Sequence, residues 1–227
     1  MAANRATERS VDMLRELYSV VVGLALLGAL QNLIEKSPTA GVFIHWNLAL
    51  WFGAVFVTLL PFYHGALRYL DDVYILGPRK PKRLALLVDY LFLFSEACLL
   101  VVLGLLLARP EAFTPVFATL IGVDIIWALA GYFITETGFG SIWRWLLINL
   151  VTLFVLAAIT YTPFLSGAKP YHIVCLAFLR TISDYIWCWD MYFPEPQTSK
   201  HKKGSEGSET EREWEECCEN ENVESRS

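Results

Sequence analysis

Leu84 to Leu107 reads LALLVDYLFLFSEACLLVVLGLLL, an unbroken apolar stretch carrying two acids, Asp89 and Glu96. At 1.5 Å per helical residue it reaches beyond the ~30 Å hydrocarbon layer of a bilayer. Lipid offers backbone amides no partners, so a segment that spans it alone must be a helix, whose hydrogen bonds are all internal. Glu96 lies near the centre of the stretch, where a charge costs ~2.5–3.5 kcal/mol, and Asp89 nearer its start, which marks both as residues with a purpose.

Five further segments have the same character: Leu17–Ile34, Val42–Tyr63, Pro115–Ile134, Ile142–Pro163 and Tyr171–Phe193. Each is close to the ~20 residues a spanning helix needs. Between them stand turn compositions, Ser37-Pro38-Thr39-Ala40-Gly41, Gly77-Pro78, Arg109-Pro110, Thr137-Gly138-Phe139-Gly140 and Ser166-Gly167-Ala168-Lys169-Pro170. Ser10 is a candidate N-cap for the first helix, with Asp12 in its first turn. The first segment is longer than the apolar part of a signal peptide and no A-x-A follows it, so it is read as a helix. The expected fold class is therefore all-α, a polytopic membrane protein of six transmembrane helices in one compact bundle. Residues 1–16 make an N-terminal segment, 17–193 the transmembrane domain and 194–227 a tail.

Composition agrees with lipid as the solvent. Of 227 residues 55% are hydrophobic and only 18% charged, and mean hydropathy is +0.43. The net charge of −5 is confined to Pro194–Ser227, where 10 Glu face 5 Lys and Arg. That Lys-, Ser-, Gly- and Glu-rich tail is expected to be disordered. Lys and Arg also set orientation. Arg5, Arg9, Arg15, Arg68, Arg79, Lys80, Lys82, Arg83 and Arg144 fall on one side with the tail bases, against Lys36, Arg109 and Lys169 on the other. The positive-inside rule then places both termini in the cytoplasm of a multi-pass cell-membrane protein. Trp46, Trp143, Trp145, Trp187 and Trp189 sit near span ends, where amphipathic rings prefer the interface.

Several functions are disfavoured. No basic stripe with aromatics points to nucleic acid. No GxSxG, HExxH or Gly-rich phosphate loop is present, so an enzyme is not the favoured reading. There is no TVGYG filter and no row of spaced arginines. Cys98, Cys175 and Cys188 in apolar runs and the adjacent Cys217 and Cys218 have neither zinc nor disulfide-framework spacing, and the first three are expected to be buried thiols.

The ionisable residues inside the spans carry the functional argument. Glu96, Asp124 and Arg180 fall near the midplane, Asp184 one turn beyond Arg180 and Asp89 nearer the inner end. Charges at such depth should face one another, which predicts a network in which Arg180 bridges Asp184 and one of Glu96 or Asp124. Acids outnumber the one base, so a proton or small cation must compensate, and a site that binds or passes one is the leading reading. The alternative is a non-catalytic scaffold or signalling protein whose midplane charges pin the helices. A second group is expected at the inner face, His64 and Arg68 on a helix continuing past the second span and Asp89 of the third span at a similar depth. His45 and His172 begin the second and sixth spans at one depth, the geometry a bis-histidine haem would need. Asp89-Tyr90 and Asp184-Tyr185 hint at two inverted three-helix halves. The bundle is small for a self-contained pore, which points to a homo-oligomer.

Overall fold

The computed structural model describes residues 2–37, 41–76, 83–135, 139–161 and 169–194. The readings for the tail, for Cys217 and Cys218 and for the basic stretch Arg79 to Lys82 lie outside the described residues. Six long helices follow the six apolar segments: α1 (Ala2–Leu33), α2 (Trp46–Leu70), α3 (Arg83–Leu105), α4 (Pro110–Thr135), α5 (Phe139–Tyr161) and α6 (Lys169–Trp187). Five of the helical stretches, Glu8–Leu33, Leu48–Ile75, Leu84–Leu105, Glu111–Phe133 and Ile142–Tyr161, are long and apolar enough to cross a membrane; α6, which contains Arg180 and Asp184, is not among them.

Several boundaries depart from expectation. Ala2, Ala3, Arg5, Ala6, Glu8 and Arg9 are strong helix formers, so α1 starts at Ala2 and Ser10 lies inside it instead of capping it. At 32 residues α1 is ~48 Å long, more than a bilayer core requires. The fold is not wholly helical. Ile34–Ser37 (β1) and Gly41–Ile44 (β2) pair antiparallel, Ile34 opposite Ile44 and Ser37 opposite Gly41, which takes Val42–Ile44 out of the expected second span. Their exposed backbone edges gain partners from each other that a lone turn would lack. At the other end α2 runs on into a π-helical turn, Asp71–Ile75. The sixth segment breaks at Cys188, whose φ of −103° and ψ of 23° leave the helical region, and a single turn, α7 (Trp189–Tyr192), follows.

Cross-contacts fix the order of the helices. α1 packs on α2 and α3, α3 on α4, α4 on α5, α5 on α6, and α6 back on α2. This is a closed ring in the order α1, α3, α4, α5, α6, α2. It does not divide into two equivalent halves, because α1 lies between α2 and α3 whereas α5 lies between α4 and α6.

The parallel α1–α3 pair approaches closely because small residues line it. A Cβ on Gly104 would stand 2.2 Å from the carbonyl oxygen of Ala25, and Asn32 Nδ2 donates to the Gly28 carbonyl at 2.9 Å and to that of Gly104 at 3.3 Å. The parallel α2–α6 pair is tied by a backbone defect. Pro61 has no N–H, so the Val57 carbonyl loses its i+4 donor, and the Thr181 hydroxyl of α6 donates to it instead at 2.9 Å.

The ring interior is polar toward the end where α1 begins and apolar toward the other. In the apolar half Trp51 meets Phe113 edge to face at 4.9 Å, Phe117 packs beyond, and Leu103, Leu107 and Leu120 are fully buried.

Candidate functional site

All six long helices deliver a side chain to the boundary between these halves. α6 supplies Arg180 and, one turn on, Asp184; α4 supplies Asp124, α3 Glu96, α5 Asn149, α2 Phe62 and α1 Tyr18, each 2% exposed or less. Arg180 is the hub. Its Nη2 and Nε donate to Asn149 Oδ1 at 3.0 and 3.2 Å, and Asn149 Nδ2 donates to Asp124 Oδ2 at 2.6 Å. The same Nη2 stands 3.8 Å from Asp124 Oδ2 and 3.7 Å from Asp184 Oδ2, and the guanidinium lies 4.6 Å over the Phe62 ring. Phe62 follows Pro61, so the break in α2 that engages Thr181 also places this ring. Glu96 lies beside Asp124.

The network is under-bonded. Among the described residues, Arg180 Nη1, Glu96 Oε1, Asp124 Oδ1 and both Asp184 oxygens make no hydrogen bond of normal geometry. The Trp145 indole, the Cys188 thiol and the Tyr192 hydroxyl lie beside Asp184. Three buried carboxyl groups thus gather near one buried guanidinium. No cluster of three or more His, Cys, Asp or Glu that could hold a metal ion occurs among the described residues.

No protein-family model, no curated protein and no solved structure matches this chain.

The second expected group does not assemble as one. Asp89 is 1% exposed and receives the Tyr74 hydroxyl at 2.6 Å, the Trp127 indole at 2.8 Å and the Tyr69 hydroxyl at 3.2 Å. A carboxyl so supplied by donors needs no histidine or arginine, which is why it stands apart. His64 and Arg68 turn toward α7. His64 packs on Tyr192 at 4.8 Å and on Phe193 at 5.5 Å, with the Tyr185 hydroxyl 3.5 Å from its Nδ1. Arg68 Nε donates to the Met191 carbonyl at 3.2 Å, and its other nitrogens lie 4.0 Å from Asp71 and 3.9 Å from Asp72. Arg15 of α1 also pairs with Asp71.

His45 immediately precedes α2 and His172 sits in the first turn of α6, at the same end of the ring. Trp145, expected at an interface, is instead interior, edge to face with Trp127 at 5.4 Å, while Trp46, Trp143, Trp187 and Trp189 are exposed. Among the described cysteines, Cys98 and Cys175 are exposed, against expectation, and Cys188 is buried.

Charge alone pointed to Glu96, Asp124, Arg180 and Asp184; it passed over Asn149, Phe62, Trp127 and Tyr192. For Asn149 a signal was present, since it is the one amide in the apolar run Ile142–Tyr161. The aromatic partners are indistinguishable in sequence from lipid-facing rings.

Proposed function

We propose that this chain is a six-span membrane protein, both ends cytoplasmic, that binds or passes a proton or small cation through Glu96, Asp124, Arg180 and Asp184. The observation that carries the reading is the charge imbalance: three buried carboxyls meet one buried guanidinium, and no other base reaches them among the described residues. Uncompensated charge in such an interior costs several kcal/mol per ion, so a mobile positive charge completes the site. A proton suits the arrangement better than a metal ion. Glu96 and Asp124 sit together, where one proton satisfies both, while Asp184 pairs with the same Arg180 nitrogen as Asp124. The lipid bilayer is the natural solvent for the outer surface, and the cell membrane the expected location.

Reconstitution into liposomes with an internal pH dye tests this. Wild type should move or take up protons under a pH gradient, and Glu96→Gln and Asp124→Asn should lose the signal. Wild-type and variant traces that coincide with empty liposomes would reject it.

One observation favours a second reading, that the charges serve a non-catalytic scaffold. The Arg180–Asn149–Asp124 hydrogen bonds join α4, α5 and α6, as a purely structural tie would. On that reading the same substitutions lower stability without touching any flux, and deletion of the acidic tail removes activity.

A further inference from the structure

Among the described residues, buried ionisable groups continue from Arg180 toward the end where α1 begins. Toward that end come Asp184, then Tyr192, then His64, which lies within α2 against α7. Tyr192 is 2% exposed and its hydroxyl lies beside Asp184. Gly65 leaves room for that hydroxyl, which stands 3.4 Å from where a Cβ would be, and the Tyr192 ring packs at a tilt against the half-buried His64, centroids 4.8 Å apart. In the opposite direction Trp51, Phe113, Phe117, Leu103 and Leu107 are buried together. The buried hydroxyls nearest that half, Thr58 and Thr152, each donate to a carbonyl of their own helix.

We infer that the buried carboxyls exchange protons with one end of the bundle only, the end where α1 begins, along Asp184, Tyr192 and His64. The inference rests on the proton reading proposed above and adds the route and its sidedness. A protonated Asp184 passes its proton to Tyr192 Oη as the hydroxyl proton of Tyr192 leaves for the His64 imidazole, which releases one to water. Each intermediate group gains one proton as it loses one, so only the first donor and last acceptor change charge. The groups facing His64 are Arg68 on its own helix, Tyr185 on α6, and Tyr192 and Phe193 around α7. Arg68 is itself near Asp71 and Asp72, so the route ends beside compensated charge and not beside a bare cation.

Time-resolved infrared spectroscopy of the full chain in nanodiscs, after a pH jump, reads the carbonyl stretch of protonated carboxyls directly. Wild type should show a pH-dependent band that Glu96→Gln or Asp124→Asn diminishes. Tyr192→Phe, which keeps the ring packing, and His64→Gln should retain the full band but form it about 10²-fold more slowly, the scale of a lost proton-transfer group. Trp51→Ala should leave the rate unchanged. Wild-type rates in both Tyr192→Phe and His64→Gln, or a rate that responds to Trp51→Ala instead, would overturn the route while leaving the proton reading intact. A wild-type spectrum without any titrating carboxyl band would sink the proton reading itself.

Discussion

Arg180 and Glu96 carry opposite charges at one level of the ring, yet their removal should have unequal consequences. Arg180 is the positive partner of two buried carboxylates and donates twice to Asn149. Arg180→Met should therefore destabilise the fold by about 3–5 kcal/mol, the cost of leaving buried charge uncompensated. Glu96 has an unpartnered oxygen and adds to the excess of acid. Glu96→Gln should accordingly leave stability unchanged or raise it. Reversible denaturation in mixed micelles measures both, and a Glu96→Gln loss as large as that of Arg180→Met would contradict the charge imbalance. At this scale the sequence was informative wherever a side chain was ionisable, because charge within an apolar run is rare enough to stand out. It was uninformative for Asn149, Phe62 and Tyr192, whose roles come from what lies opposite them, and it grouped Asp89 with His64 and Arg68 although three neutral donors already satisfy that carboxyl.

Pro61 turns α2 from a simple span into a docking element. If the freed Val57 carbonyl is what recruits Thr181, the two residues are energetically coupled. Thr181→Val should cost about 0.6–1.7 kcal/mol in the wild-type background, the range of interhelical hydrogen bonds in membranes. In a Pro61→Ala background, where residue 61 regains its N–H and serves Val57 within the helix, the same substitution should cost close to nothing. A double-mutant cycle reads this difference, and equal costs in both backgrounds would separate Thr181 from the proline. The α1–α3 pair offers a second test. Gly104→Leu places side-chain atoms where the Ala25 carbonyl now lies and should cost about 1–3 kcal/mol as the helices part. Gly23→Leu should be tolerated, since a Cβ there meets nothing within 4 Å. The existence of six helices was legible from apolar length and turn composition. Their ends were not, because the start of α1 depends on helix propensity ahead of the apolar run, and β1–β2 on a pairing between backbone edges.

Neighbour relations around the ring belong to the whole molecule and were beyond the reach of local pattern. Most consecutive helices are neighbours, but α2 and α3 are separated by α1, and α1 with α3 and α2 with α6 are parallel pairs chosen by packing. The α2–α6 contact closes the ring, encloses Arg180, and brings His64 onto Tyr192, so the site depends on it. It can be tested in the membrane without any assay of function. A Cβ on Gly53 would lie 3.3 Å from the tip of the Phe178 ring. In a cysteine-free background, Gly53→Cys combined with Phe178→Cys should be joined within one chain by a short bifunctional thiol reagent. Each single cysteine should give no such product, and a pair placed on α4 and α6 should react poorly because α5 intervenes. Cross-links that form only between chains would assign the α2–α6 contact to an oligomer and leave the ring open, and with it the seal that makes one-sided proton access a property of a single chain.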